Sequence, residues 1–242
     1  MNVAIIAAAG QGVRMGNKRA KQFLELDGIP VIIHTLKRFE QCPDIHQIVV
    51  VLPEENVKGF PALAKKYRLK KVTNCVRGGF TRLESVRFGM AAIQRVKTVA
   101  VHDGVRPFVT PEEISQTLKK AGKSGAAILV APVTDTIKLV QVKSGVSRAG
   151  WVKKTLPRND LRRALTPQCF AYELLYKVMF SMPQMNLIGQ EITDESMLVE
   201  PLGPVDLVEG HPRNIKITQP EDIALAELIL KRNPEFKIRK PR

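Results

Sequence analysis

Short runs of β-branched residues alternate with longer amphipathic stretches along the first half of this chain, and that alternation constrains its fold most. Apolar runs at 3–7, 48–52, 71–76, 98–102 and 126–131 have the length and the Val/Ile content of strands. Between them the spacing predicts helices over 31–40, 54–67, 82–95 and 111–124. The last of these opens with Thr110-Pro111-Glu112-Glu113, an N-cap residue followed by proline and two acids. Strand and helix in alternation predict an α/β fold, a mostly parallel, Rossmann-like sheet flanked by helices on both faces. In such sheets ligands gather outside the carboxyl ends of the strands, so the loops after Ala7, Val76 and His102 should face one crevice.

From 132 to 157 the pattern changes. Thr, Val and Lys residues around Lys143-Ser144-Gly145-Val146 predict a β-hairpin that projects as an arm. Helical spacing returns over 173–182 and 219–231. A chain of 242 residues, 44% hydrophobic and 25% charged, suits a single soluble domain. That domain is taken as 1–232 with the arm inside it, leaving 233–242 as a solvated basic tail. The net charge of +15 is spread through every third of the chain and aromatics make up only 5%, so no nucleic-acid partner is expected. Cys42, Cys75 and Cys169 lie far apart, which signals neither a disulfide framework nor a zinc site and suits a reducing cytoplasm. The first residues lack a basic n-region and their apolar run is too short for a signal peptide or a membrane span, so no membrane association is expected.

Three loops carry the chemistry. The stretch Ala7-Ala8-Ala9-Gly10-Gln11-Gly12-Val13-Arg14-Met15-Gly16 follows the first strand, and its glycines let backbone amides approach an anion. The glycine spacing fits neither the dinucleotide fingerprint nor a Walker loop. Arg14 inside the loop and Lys21 beyond it can reach the same anion, one as a planar fork and one as a point charge. In the second loop, Val101-His102-Asp103-Gly104-Val105-Arg106-Pro107-Phe108, Asp103 is a candidate ligand for Mg²⁺ or acceptor from a substrate hydroxyl. Asp103 could equally pair with Arg106, and His102 reads as a satisfied core histidine more readily than as a base. The third loop, Arg77-Gly78-Gly79-Phe80-Thr81-Arg82, leads into a helix start that presents backbone groups and Ser85 to a base or ribose. Farther on, Arg158, Thr193 and Lys216 are candidates to hold a second phosphate.

Taken in this order, the segments resemble the 2-C-methyl-D-erythritol 4-phosphate cytidylyltransferases of the non-mevalonate isoprenoid pathway. The resemblance rests on residues 7–15 with Lys21-Gln22-Phe23, Gly78-Gly79 with Arg82 and Ser85-Val86, and His102-Asp103 with Arg106-Pro107-Phe108. Pro132-Val133-Thr134-Asp135-Thr136-Ile137-Lys138, Thr166-Pro167-Gln168, Thr193-Asp194-Glu195 and Asn214-Ile215-Lys216-Ile217-Thr218 complete it. It implies a nucleotidyltransferase-type α/β fold, Mg²⁺ dependence and a homodimer joined through the arm. It also implies transfer of CMP from CTP to a sugar-alcohol phosphate, by direct in-line attack with release of pyrophosphate.

Carried over residue by residue, the resemblance makes Arg14, Lys21, Arg158 and Lys216 catalytic. Ala8, Ala9, Gly10, Gly12, Gly79, Arg82, Ser85, Asp103 and Gly104 join Arg14 and Lys21 around CTP. Asp103, Arg106, Thr136, Thr166 and Thr193 join Arg158 and Lys216 on the sugar-phosphate side, some of them reaching across the dimer. Two departures stand out. Gly104 and Val105 replace a common Ala-Ala, and Phe80 replaces a common acid, which suggests that backbone groups read the base there. Ribitol 5-phosphate cytidylyltransferases, whose His-Asp-x-Val-Arg-Pro-Phe segment Val105 also fits, are the nearest alternative. The Asp135-Thr136-Ile137-Lys138 and Thr193-Asp194-Glu195-Ser196 segments favour methylerythritol phosphate.

Overall fold

The first strand, β1 (Asn2–Ala7), places Val3, Ala4, Ile5 and Ile6 completely out of solvent, as expected of a strand covered on both faces. A computed structural model, describing residues 1–10, 20–142, 150–182 and 192–240, builds a seven-stranded sheet around it. A small hairpin, β2 (Glu25–Leu26) and β3 (Ile29–Pro30), turns over Asp27 and Gly28, both with positive φ. The chain continues through β4 (Gln47–Leu52), β5 (Val72–Arg77), β6 (Thr98–Asp103) and β7 (Ala126–Pro132). An isolated hairpin of β8 (Lys138–Val142) and β9 (Gly150–Thr155) follows, then β10 (Arg162–Ala171) and β11 (Asp206–Glu209). The sheet order is β11-β7-β10-β6-β1-β4-β5, parallel except that β10 runs against both its neighbours.

The helices are α1 (Val31–Gln41), α2 (Glu54–Val57), α3 (Phe60–Lys66), α4 (Arg82–Ala91), α5 (Pro111–Ser124), α6 (Tyr172–Tyr176), α7 (Ser196–Val199) and α8 (Glu221–Arg232). The two-residue period of the strands divides the core. Ala4, Ile6, Ile48 and Val50 point to the face covered by Ile32, Leu36, Phe39, Ile114 and Leu118. Ile5, Val51, Val99 and Val101 point to the other, against Val86, Met90 and Leu175. A third cluster gathers Leu26, Val31, Val105, Phe108, Ile217, Leu230 and Phe236.

The expected α/β architecture is present, with instructive differences in detail. The helix expected over 54–67 is broken between α2 and α3, the second opening with Pro61 in its first turn. The one expected over 82–95 ends at Ala91, and the one over 173–182 is α6 followed by a π-turn, Lys177–Ser181. The helix over 111–124 has the predicted bounds, because Thr110 and Glu113 form a reciprocal capping box and Gly125 ends it at φ 94°. The arm is a hairpin with both strands exposed throughout, and its tip, 143–149, lies outside the described residues.

Strands β10 and β11 were not anticipated. Arg162 and Arg163 make the start of β10 polar and exposed, and its pairing with β7 shifts register between Ala164 and Gln168, the stretch that holds Thr166-Pro167.

The basic chain end also departs from expectation. It is not simply solvated: Phe236 is 2% exposed, meets Phe108 edge-on at 5.4 Å, and lies under the guanidinium groups of Arg38 and Arg213. Arg38, itself buried, donates to the carbonyl of Phe236 at 2.9 Å and of Glu235 at 3.2 Å. Phe236→Ala should therefore lower unfolding free energy by about 3 kcal/mol or more in urea titrations. A change below about 0.5 kcal/mol is what a solvated tail would give.

Candidate active site

The loops that leave β1, β5 and β6 meet at one open cleft of about 780 Å³, as the parallel sheet predicts. Close backbone approach assembles its floor. Gly104 donates its N–H to Ala7 O at 2.8 Å, and a Cβ on Gly104 would lie 2.7 Å from that of Ala8. Gly78 is tighter still, since a Cβ there would fall 2.1 Å from that of Ala9. Gln22, buried, donates its amide to Ala8 O at 2.7 Å and ties the segment after the glycine loop back to the end of β1. Gly12, Arg14 and Gly16 lie outside the described residues, whereas Gly10 and Lys21 line the cleft.

Asp103, at the carboxyl end of β6 and 5% exposed, is the hub. Its Oδ1 accepts from Arg82 Nε at 3.2 Å, and its Oδ2 from Arg106 Nε at 3.1 Å and Lys216 Nζ at 3.0 Å. Burial alone would push this carboxyl up, but the Arg82, Lys216 and Arg106 cations outweigh it and hold Asp103 well below the usual carboxylate range. Arg82 also pairs with Glu195, and these two carboxylates outweigh burial to lock it as a cation. Glu195 itself is shifted up, chiefly by burial, with Arg82 opposing.

The expected ion pair of Asp103 with Arg106 is thus present, but it is one contact of three. The metal-ligand role expected for Asp103 fits this environment poorly, because both of its oxygens already face cations. Among the described residues, no group of three His, Cys, Asp or Glu side chains is placed to hold a metal ion.

Later segments of the chain position the hub. Thr166 Oγ1 accepts from the Asp103 N–H at 3.2 Å and bonds His102 Nδ1 at 2.9 Å, while His102 Nε2 bonds Arg106 O at 3.1 Å. A carbonyl accepts only, so Nε2 carries the proton and Nδ1 accepts from the threonine hydroxyl. Burial pushes His102 down to about 3, so it is the neutral core histidine expected. The Asn214 side-chain amide donates to Thr166 O at 2.9 Å, and the Asn214 main-chain carbonyl accepts from Arg106 at 3.0 Å. Ile217 donates its N–H to Val105 O at 3.0 Å. Those anchors bracket Lys216 and aim its ammonium at Asp103. Gln168 Oε1 accepts from the N–H groups of Glu195 and Ser196, each at 3.1 Å, and so sets Glu195 against Arg82.

Several expected substrate contacts are already committed within the protein. The Thr166 hydroxyl lies beneath Asp103 and is buried, so it supports the site from below. Ser85 Oγ accepts from Gly79 N at 3.1 Å and donates to Thr81 O at 2.9 Å. Phe80 N–H is taken by Glu84 Oε2 at 2.8 Å, inside the capping box of α4. The N–H donors of Gly79, Phe80 and Thr81 are therefore engaged within the turn, and the Phe80 ring stands fully exposed at the cleft. Thr193 bonds Met197 Sδ at 3.2 Å. Thr136 and Arg158 sit exposed at the root of the arm, away from the cleft lining, with Arg158 bonded to Thr134 O at 3.4 Å. Glu195, Gln168, Asn214 and Gln22 were not singled out from sequence, although each lies inside a quoted motif.

Replacing Asp103 by Asn leaves Arg82, Arg106 and Lys216 without their shared anion. Stability at pH 7 should fall by about 3 kcal/mol in urea titrations, and a loss under about 1 kcal/mol would contradict the hub. Because the folded carboxyl is depressed, its contribution is complete above the ordinary carboxylate range and is lost as pH falls below it. The difference between the two proteins should therefore narrow below about pH 4.

Comparison with known proteins agrees with this architecture. Residues 2–232 match the family model described as IspD, 2-C-methyl-D-erythritol 4-phosphate cytidylyltransferase. A protein of that name from Bacillus licheniformis is 42% identical over 93% of this chain and 94% of its own length. One from Clostridium novyi is 40% identical over 95% and 96%. Among solved structures, the 4-diphosphocytidyl-2C-methyl-D-erythritol synthase of Anaerococcus prevotii superposes with a TM-score of 0.80 at 29% identity, over 95% of this chain and 96% of that one. The cytidylyltransferase of Thermus thermophilus gives 0.72 at 31% identity, over 94% and 98%. With its fold, its ordered motifs and these relatives in agreement, the chain belongs to the 2-C-methyl-D-erythritol 4-phosphate cytidylyltransferase family.

Proposed function

We propose that this protein transfers CMP from CTP to 2-C-methyl-D-erythritol 4-phosphate, giving 4-diphosphocytidyl-2-C-methyl-D-erythritol and pyrophosphate. The observation that carries this reading is the cation cluster on Asp103, set at the strand ends and opening into the cleft that Lys21 and Gly10 also line. A phosphate oxygen of the sugar phosphate attacks the α-phosphorus of CTP. One P–O bond forms as the bond to the bridging oxygen breaks, and that electron pair leaves with pyrophosphate. The nucleophile is already ionised, so no general base is required, in keeping with a buried, neutral His102.

The barrier lies in bringing two polyanions together and in the charge that builds on the phosphoryl oxygens. Fixed cations lower it. Lys21 with Arg14 serves the triphosphate, while Lys216 and Arg158 serve the attacking phosphate, with Asp103 holding Lys216 in place. Ala8, Ala9 and Gly79 shape the nucleotide end. Mg²⁺ is expected to travel with CTP, held mainly by triphosphate oxygens, since the hub carboxylate is already committed to cations.

The exposed arm carries Leu139, Val140, Val142, Trp151 and Val152, an apolar surface suited to pairing with a second copy. That arrangement would bring Arg158 to the partner's cleft. Among the described residues, no helix is long and apolar enough to cross a membrane. The free Cys42, Cys75 and Cys169 suit a reducing cytoplasm.

Pyrophosphate release with CTP, comparing methylerythritol phosphate with ribitol 5-phosphate, tests the assignment. Turnover should require the former, and preferential use of ribitol phosphate would overturn it. In the same assay Arg158→Ala should raise KM for the sugar phosphate by roughly tenfold or more and leave KM for CTP near its original value. A loss confined to CTP would move Arg158 to the other substrate.

A further inference from the structure

A second hollow, of about 640 Å³, lies between the last turns of α1 and α3 and residues 237–240 of the chain end. Six cations line it: Lys37, Lys66, Arg68, Lys237, Arg239 and Lys240. No carboxylate does, and among the described residues none of the six closes an ion pair. Glu40, the acid that acts on Lys37, spends its two oxygens on the N–H groups of Lys70 and Lys71 at 3.0 and 2.9 Å. The two helix ends contribute roughly half a negative charge each, far less than the cations around them.

The hollow is built into the fold. Helix α3 ends in a Schellman motif, with Leu69 N–H on Ala64 O and Arg68 N–H on Lys65 O, both at 2.9 Å. That motif puts its left-handed residue, usually glycine, at Arg68, whose φ is 53°. An arginine is strained there, and what it leaves in return is a cation in the wall. The opposite wall is pinned by Phe236 in the core and by Arg38 on the carbonyls of Glu235 and Phe236. Lys240 then packs so near Gly28 that a Cβ there would come within 2.6 Å of its Nζ. The family match ends at residue 232, so Lys237, Arg239 and Lys240 come from beyond it.

We propose that this hollow is a second anion site, separate from the active cleft, for a small polyphosphate of three or more linked phosphates. Its volume is that of a small-ligand pocket, and cations around a concave wall match a ligand whose charge is spread along a short chain. The single aromatic in its lining, Tyr67, is 8% exposed and offers no stacking platform for a nucleic-acid strand. Burial already lowers the pKa of Lys37, with Glu40 opposing and Arg68 reinforcing, and a bound anion would relieve that.

Calorimetric titration of inorganic tripolyphosphate into the full chain at 0.15 M salt tests this. The active cleft also accepts triphosphate, so binding is compared in a Lys21→Ala/Lys216→Ala background with and without Lys66→Gln, Lys237→Gln and Arg239→Gln, three exposed positions. The background should retain one tripolyphosphate site, and the added substitutions should weaken it at least about tenfold. In the otherwise unaltered chain the same three should reduce stoichiometry from two sites to one while leaving CMP transfer and the thermal midpoint as they were. An affinity change below threefold, or tighter binding of a twelve-residue oligothymidylate than of tripolyphosphate by the background, overturns the proposal.

Discussion

The structure turns on the ion cluster around Asp103. One buried carboxylate neutralises parts of three cations that arrive from separate stretches of sequence, Arg82 from the start of α4, Arg106 from the loop after β6, and Lys216 from the segment before α8. Without that anion the three would repel one another across a cleft meant for polyanions. With it they are held at fixed distances, and the cluster as a whole remains positive toward the solvent. Such preorganisation suits chemistry in which the protein supplies charge and position and the substrates supply the reacting atoms.

Support for the hub spreads outward by ordinary hydrogen bonding. The neutral His102 links Thr166 to Arg106, Thr166 holds the Asp103 backbone, Asn214 spans Thr166 and Arg106, and Gln168 sets Glu195 against Arg82. Strand β10 supplies Thr166 and Gln168 by running antiparallel between β6 and β7. The third core cluster, reaching from Phe236 through Phe108 to Ile217 and Val105, carries that rigidity to the chain end. The active cleft and the basic hollow, one wall of which is residues 237–240, thus share a foundation.

Much of the sheet was legible in the sequence, because buried parallel strands read as continuous β-branched runs and α5 carries its own capping box. β10 was not, since its polar start and its Thr166-Pro167 interruption hide the periodicity. The site was legible as motifs more than as roles. Lys21, Gly79, Arg82, Asp103 and Lys216 do share one cleft. Thr166 and Ser85, expected at substrate, have their hydroxyls engaged inside the protein, and Glu195 and Gln168 act through contacts 113 and 27 residues away in sequence. Long-range pairing of this kind leaves no local signature. Nor does Phe236, an isolated aromatic in a basic stretch, announce that it is a plug.

Asp103 stays ionised because three cations surround it. The carboxyl carbon of Asp103, followed by ¹³C NMR from pH 7 downward, measures this directly. No inflection is expected in the ordinary carboxylate range before acid unfolding begins. A reversible titration of the folded protein with a midpoint near about 4 would show that the cations do not converge on Asp103.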